Sequence, residues 1–387
     1  MKVAVLGAGY AGVTLTKRLE KSLPPDVELV LVDDTGTHLV QHELHRVVRR
    51  PAVAEYISVP LDDVVDRATV REGRVTNVDA AGRRVTFADE DTLGFDVAAV
   101  CLGAETAFYD LPGVESHATP LKRLDDATEI RAGFLDALDD GGEGATEGRV
   151  VVGGAGLSGI QVAGELAELA AERDGSVQIT LLEQFETVAP NFPANFQRAV
   201  HGALTEKGVE VRTGATVTEA TDDEVRLAEA DPIPYDQLVW TGGIRGPDAL
   251  RGERPSVRSD LRLEDTTFVL GDAAKVVDDS GEAVPASAQA AIREARVVAT
   301  NVARLVDHLR DGDYGGFDPR FDRFGFDSPG WLVTVGDDAV AQVGPGVLRG
   351  RTALALKATV GAGYLSSVGA VREAVDLVND ELGLDPQ

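Results

Sequence analysis

The chain has 387 residues, room for two or three compact domains, and 43% of them are hydrophobic, which argues against disorder. Its 65 acidic and 37 basic residues give a formal net charge of −28 without a basic stripe, so nucleic acid is a poor partner. No run of about twenty apolar residues is present to span a membrane, and the single cysteine, Cys101, excludes an intrachain disulfide, a CxxC redox pair and a structural zinc site.

Lysine occurs only at positions 2, 17, 21, 122, 207, 275 and 357, so arginine supplies most of the positive charge. Acidic excess with scarce lysine suggests a halophilic protein in a high-salt cytoplasm, where the Debye length is about 3 Å near 1 M and self-repulsion is screened. An ordinary acidic protein is the alternative. The chain opens directly on a strand, Lys2 to Leu6, with no basic leader, and a cytoplasmic location is expected.

Residues 1–34 read as strand, glycine turn, helix and strand: KVAVL, GAGYAG, VTLTKRLEKSL and VELVLVD, with Pro24 and Pro25 at the return. Residues 69–100 read as short alternating strands, and GGEGATEG (141–148) as a surface linker. The cycle then restarts at Arg149 with a second strand and turn, a helix over 157–173 and a strand over 177–183. Short strands follow at 209–213, 216–220 and 224–228, and YDQLVWTGG (235–243) closes the copy. The two copies are offset by about 147 residues, Gly7 to Gly154. TTFVLGDAA (266–274) and a helix from about Ser287 to Leu309 come next, and 330–387 mixes short strands with helix.

Gly7-Ala8-Gly9-Tyr10-Ala11-Gly12 fits GxGxxG between a buried strand and a helix. The first glycine allows the tight turn, the second lets a pyrophosphate approach the backbone, and the third lets helix and strand pack closely. Asp33 ends the second strand, where an acid holds ribose hydroxyls. Gly154-Ala155-Gly156-Leu157-Ser158-Gly159 repeats the pattern, and Glu183 ends QITLLE. A carboxylate there repels a 2′-phosphate, and no basic residue follows in EQFETVAP, so this second site is expected to prefer NAD over NADP. Two dinucleotide sites in one chain suggest one resident nucleotide and one visiting hydride donor.

From Met1 to about Asn301 the sequence resembles the two-dinucleotide flavoproteins of the pyridine nucleotide–disulfide oxidoreductase type. The resemblance implies an α/β fold of two Rossmann-like domains. An FAD domain (1–120 and 244–320) would carry an inserted NAD domain (121–243), with a C-terminal region (321–387) at an interface or near a membrane. It assigns Gly7, Gly9, Tyr10, Ala11, Gly12 and Asp33 to FAD, and Gly154, Gly156, Leu157, Gly159 and Glu183 to NADH. Phe268-Val269-Leu270-Gly271-Asp272 matches a late motif whose aspartate meets the flavin ribityl chain. AAVCLGAE and LVWTGGI look like the strand-to-glycine crossings of the two domains, which brings in Gly103 and Gly243. Cys101 then sits at a strand end as a small hydrophobe.

Within that family the details look most like type II NADH dehydrogenases, the NADH:quinone oxidoreductases. HLVQHELHRVV (38–48) resembles their segment beside the flavin, and its spacing His38, His42, His45 also suggests a helical metal site. Nothing else in the chain completes a ligand set, so no metal is expected. Ala288 and Gln289 match the Ala-Gln segment at the flavin and quinone face, and Gln289 and Gln161 are the candidate catalytic residues. Gln161 stands where the family usually has glutamate, and Arg293 and Glu294 where it usually has glutamines. The expectation is hydride transfer from NADH to FAD, with a quinone as the acceptor. A slow redox-sensing or assembly flavoprotein is the alternative. The apolar stretch 353–371 is the candidate for peripheral membrane contact or a homodimer contact, with ordinary packing as the third reading. The acidic 370–387 reads as a surface helix.

Overall fold

Val3, Ala4, Val5 and Leu6 form an unbroken apolar run, and all four are fully buried because their strand lies inside a parallel sheet covered on both faces. In the computed structural model, which describes residues 1–139, 147–312 and 319–382, this strand (Lys2–Leu6) is flanked by Glu28–Asp33 and Val97–Val100. Thr69–Glu72 and Thr267–Val269 extend the sheet in parallel, and Arg262–Glu264 adds an antiparallel edge. Most of the expected linker at 141–148 falls outside the described residues.

The second sheet repeats the plan. Gly148–Gly153 is central, with Val177–Leu182 on one side and Gln237–Trp240 on the other, and Glu210–Arg212 and Ala118–Pro120 at the edges, all parallel. Before the last parallel strand that flanks the central one, Val97–Val100 in the first sheet and Gln237–Trp240 in the second, each copy makes a three-stranded antiparallel excursion. These are Val75–Asp79, Arg84–Phe87 and Thr92–Gly94 in the first copy, and Val217–Ala220, Glu224–Leu227 and Ile233–Pro234 in the second. The duplication therefore covers whole units, not the motifs alone.

The C-terminal segment, hard to read from sequence, is a three-stranded antiparallel sheet (Gly330–Val335, Asp338–Val343, Gly346–Arg349) followed by helices Arg351–Val368 and Val371–Leu382. The first of these strands packs on the second copy's long helix, Leu157–Glu172. The approach is so close that a Cβ on Gly164 would overlap the backbone of Gly336. Helix Arg351–Val368 reaches the first copy, where Lys357 Nζ donates to Glu43 Oε2 at 2.8 Å. No helix among the described residues is long and apolar enough to cross a membrane.

Glu43 is 1% exposed and also accepts from Arg46 Nη1 at 3.0 Å, with His42 Nε2 3.1 Å from its other oxygen. Burial works against its charge, but Lys357, His42 and Arg46 together hold the carboxyl well below the usual carboxylate range. Folded Glu43 thus binds fewer protons than unfolded Glu43. Its contribution is complete above the unfolded value of about 4.3 and is lost as pH falls through the lower folded value. Lys357→Met should lower stability by about 3 kcal/mol, because it removes one partner of a buried charge. Urea unfolding at neutral pH measures the loss, and the gap to wild type should narrow under acid conditions.

Candidate functional site

Both glycine turns stand at the carboxyl end of a central strand, where a helix starts and its first N–H groups have no intrahelical partner. Gly7 has φ +99° and Gly154 φ +96°, values that favour glycine. A Cβ on Gly12 would overlap the Gly7 carbonyl oxygen, and one on Gly159 would overlap that of Gly154, so the third glycine of each turn serves helix–strand contact. The middle glycines differ. A Cβ on Gly9 or Gly156 would meet nothing within 4 Å, and both have ordinary φ, −70° and −69°. The protein itself gives no steric reason for glycine there. The space above each backbone is a cradle that a side chain would fill, at the start of a helix with no acid in its first turn.

The two acids take matching positions. Asp33 Oδ2 accepts from Ala8 N–H at 2.8 Å, and Glu183 Oε2 accepts from Ala155 N–H at 2.9 Å. Each copy also ties its first glycine to the strand ahead of the acid, Gly7 N–H to Val32 O and Gly154 N–H to Leu182 O. The strand-to-glycine crossings pack against the turns: a Cβ on Gly7 would strike Cys101, and one on Gly154 would lie 2.6 Å from Gly242 Cα. Cys101 is buried, and burial pushes its thiol up, consistent with packing. Gly103 has φ +69° with open space around it, whereas a Cβ on Gly243 would overlap the Tyr109 hydroxyl.

The late motif lies against the first turn. A Cβ on Gly271, whose φ is +66°, would come 3.3 Å from Ala11 Cβ and 3.5 Å from Ala291 Cβ. This joins the fingerprint helix Tyr10–Ser22, the Gly271-Asp272 turn and helix Ala288–Asp311 at one place. Ser287 caps the last of these by accepting from Ala290 N–H at 3.2 Å, and Ala288 is its first residue. Glu294 Oε2 accepts from Gly271 N–H at 2.6 Å. Burial pushes the Glu294 carboxyl up to about 7 despite that bond, and Asp272 adds to the rise. Arg254 braces the same turn by donating to the carbonyl oxygens of Asp272 and Ala274, both at 2.7 Å.

A polar cluster joins the two copies. His38 lies on the short strand Thr37–Leu39, His42 in the turn Gln41–Glu43 and His45 on helix Leu44–Arg49, so the three do not share a helix. His38 Nδ1 donates to the Ala8 carbonyl oxygen at 2.8 Å, which leaves Nε2 to accept from the Tyr364 hydroxyl at 2.9 Å. Burial lowers His38 to about 4, so it is neutral at pH 7. Tyr10 bonds His42 Nδ1 through its hydroxyl, and His42 continues to Glu43 and Lys357. Among the described residues, no group of three His, Cys, Asp or Glu side chains is placed to hold a metal.

Gln161, one turn into the second fingerprint helix, donates to Thr334 Oγ1 at 3.3 Å, with His45 Nε2 at 3.4 Å. Burial, reinforced by Lys357, holds His45 well below its ordinary value and therefore neutral. Gln289 has a different partner, accepting from Ser328 Oγ at 3.2 Å. Arg293 donates to the Asp327 carbonyl oxygen and lies over the Phe326 ring, whereas Glu294 bonds Gly271. Tyr364, Thr334 and Lys357 escaped the sequence reading. Each comes from the C-terminal segment, and no local pattern marks it as a neighbour of residues near position 40.

The family described as pyridine nucleotide-disulphide oxidoreductase matches residues 1–295. A demethylphylloquinone reductase of Synechocystis sp. is 28% identical over 325 residues, 78% of each chain. A type II NADH:quinone oxidoreductase of Staphylococcus saprophyticus is 26% identical over 338 residues, 79% of this chain and 83% of the other. In fold the chain is similar to NDH2 from Plasmodium falciparum in complex with NADH, with a TM-score of 0.82, 15% identity, and 100% and 99% of the two chains covered. The sulfide:quinone oxidoreductase of Aquifex aeolicus gives a TM-score of 0.79 at 16% identity, with 96% and 92% covered. With two glycine turns of one geometry and a family match over most of its length, this chain belongs to the pyridine nucleotide-disulphide oxidoreductase family.

Proposed function

We propose that this chain is an FAD-dependent NADH dehydrogenase of the type II kind, which takes a hydride from NADH and passes electrons to a quinone. The observation that carries the reading is the pair of middle glycines, Gly9 and Gly156, whose open space the protein does not use. The relatives' names point the same way, to quinone reduction and NADH. With one cysteine in the sequence there is no intrachain disulfide relay, and the acceptor would meet the flavin directly or through water. Bound FAD supplies the two-electron chemistry that links hydride donor to acceptor.

In this reading segments 1–120 and 244–320 form the FAD unit and 121–243 the NADH unit, except that Ala118–Pro120, an edge strand of the second sheet, goes with the NADH unit. Gly7, Gly9, Tyr10, Ala11 and Gly12 hold the FAD pyrophosphate, Asp33 its ribose, and Gly271 and Asp272 the ribityl chain, with Gly103, Ala288 and Gln289 alongside. Gly154, Gly156, Leu157, Gly159 and Gly243 form the NADH cradle, and Glu183 receives the ribose hydroxyls. Gln161 does not titrate, so it acts as a neutral hydrogen-bonding group beside neutral His45. We place the protein in a salt-rich cytoplasm, touching the membrane through the stretch 353–371, where Val360 and Val371 stand exposed.

Anaerobic NADH should bleach the yellow of the purified protein, and NADPH should need at least about ten-fold higher concentration because Glu183 repels a 2′-phosphate. Equal bleaching by both would refute the specificity. Steady-state NADH oxidation with a soluble quinone should exceed about 1 s⁻¹, near the ordinary enzyme range; much slower turnover rejects the quinone reductase. Gly156→Ala should fold with stability within about 1 kcal/mol of wild type, since its Cβ meets nothing. The same variant should raise the KM for NADH more than about ten-fold by blocking the phosphate approach. Gly159→Ala, by contrast, should be destabilised.

A further inference from the structure

A cleft of about 260 Å³ opens beside Gly154 and Glu183. Its walls include Leu111, Leu182, Val217 and Trp240, and Tyr109 closes one side. Gln184 and Thr216 add polar groups beside the Glu183 carboxylate, so the cleft has apolar walls and a polar edge, a lining that suits a flat purine joined to a ribose. Glu183 marks the adenosine end, because the acid that ends the second strand is the one that meets the adenosine ribose.

Tyr109 is unusual in three ways. It is 61% exposed, the second most exposed of the large apolar side chains after Val360, so the protein buries little of its ring. Its backbone has φ +55° and that of the following Asp110 has φ +53°, two consecutive non-glycine residues in the left-handed region. Such a conformation costs energy and persists where its surroundings hold it, commonly at ligand clamps. Finally, the hydroxyl donates to the Gly242 carbonyl oxygen at 3.3 Å, and a Cβ on Gly243 would displace that hydroxyl from its place. The crossing after Trp240 is therefore shaped around Tyr109, which gives Gly243 a steric reason separate from any phosphate.

We infer that Tyr109 is a specificity-determining residue whose ring stacks on the adenine of the visiting dinucleotide and closes its cleft. The inference rests on reading the second glycine turn as the NADH site. Stacking on an aromatic face uses the π surface of the base, so it adds affinity for the adenosine half and none for the nicotinamide half.

Calorimetric titration of the flavin-loaded protein with ADP-ribose, which lacks nicotinamide, tests it. Tyr109→Ala should weaken ADP-ribose binding about ten-fold, while Tyr109→Phe stays within about two-fold of wild type. The KM for reduced nicotinamide mononucleotide, which lacks adenosine, should be unchanged in both. Tyr109→Leu keeps apolar bulk without a π face and should repeat the alanine loss, which covers the case of an alanine variant that does not fold. Wild-type affinity for ADP-ribose in the alanine or leucine variant would overturn the inference and leave the NADH site standing. Equal losses for both half-ligands would also overturn it, since they mark a collapsed site. Failure of the wild-type protein to bind ADP-ribose would bring down the NADH site itself.

Discussion

A helix that starts where a buried parallel strand ends carries N–H groups that nothing inside the helix can satisfy, and the chain must reverse sharply to begin it. The protein meets this constraint twice with one solution. A left-handed glycine (Gly7, Gly154) turns the chain, and an acid from the next strand (Asp33, Glu183) takes the N–H of the second turn residue. A third glycine lets helix and strand touch, and the middle one leaves its side open. The positive end of each helix then faces a space fit for phosphate. The two sheets, their antiparallel excursions and the Gly271-Asp272 turn are arranged about these two cradles.

Two such units need a defined relation to one another, and the C-terminal segment supplies much of it. Arg49 from the first unit pairs with Glu165 at 3.1 Å on the second fingerprint helix, and also with Asp337 in the hairpin. Lys357 pairs with Glu43, and Tyr364 with His38. Buried charges of this kind add little net stability over apolar packing, but each penalises any arrangement that leaves it unpaired. They therefore specify one docking of the segment, with neutral His45 held beside Gln161 where the units meet.

Glu294 shows how one buried carboxyl sets the character of a turn. Its carboxylate accepts the Gly271 N–H in a buried position next to Asp272, and it keeps its proton to about pH 7. A group of that character holds the Gly271-Asp272 turn in place while adding little negative charge at low pH. It sets this chain's local electrostatics apart from one with a glutamine there.

The strand, glycine turn, helix and second strand that open each copy, with their acids, were legible from residue order, because these are local patterns of about thirty residues, whereas helix Ala194–Glu206 and strand Ala118–Pro120 were not read. The late Gly271-Asp272 motif was legible too, though not its seat against Ala11. The polar cluster and the C-terminal docking were not: Lys357 and Glu43 are 314 residues apart, and Tyr364 and His38 are 326 apart. Tyr109 was missed for a related reason, since its hydroxyl meets the Gly242 carbonyl oxygen across 133 residues. Periodicity and turn chemistry act between neighbours and leave their mark in the order of residues. Which buried charge meets which, and which ring closes a cleft, depends on separations that exist only once the two sheets and the C-terminal helices have packed.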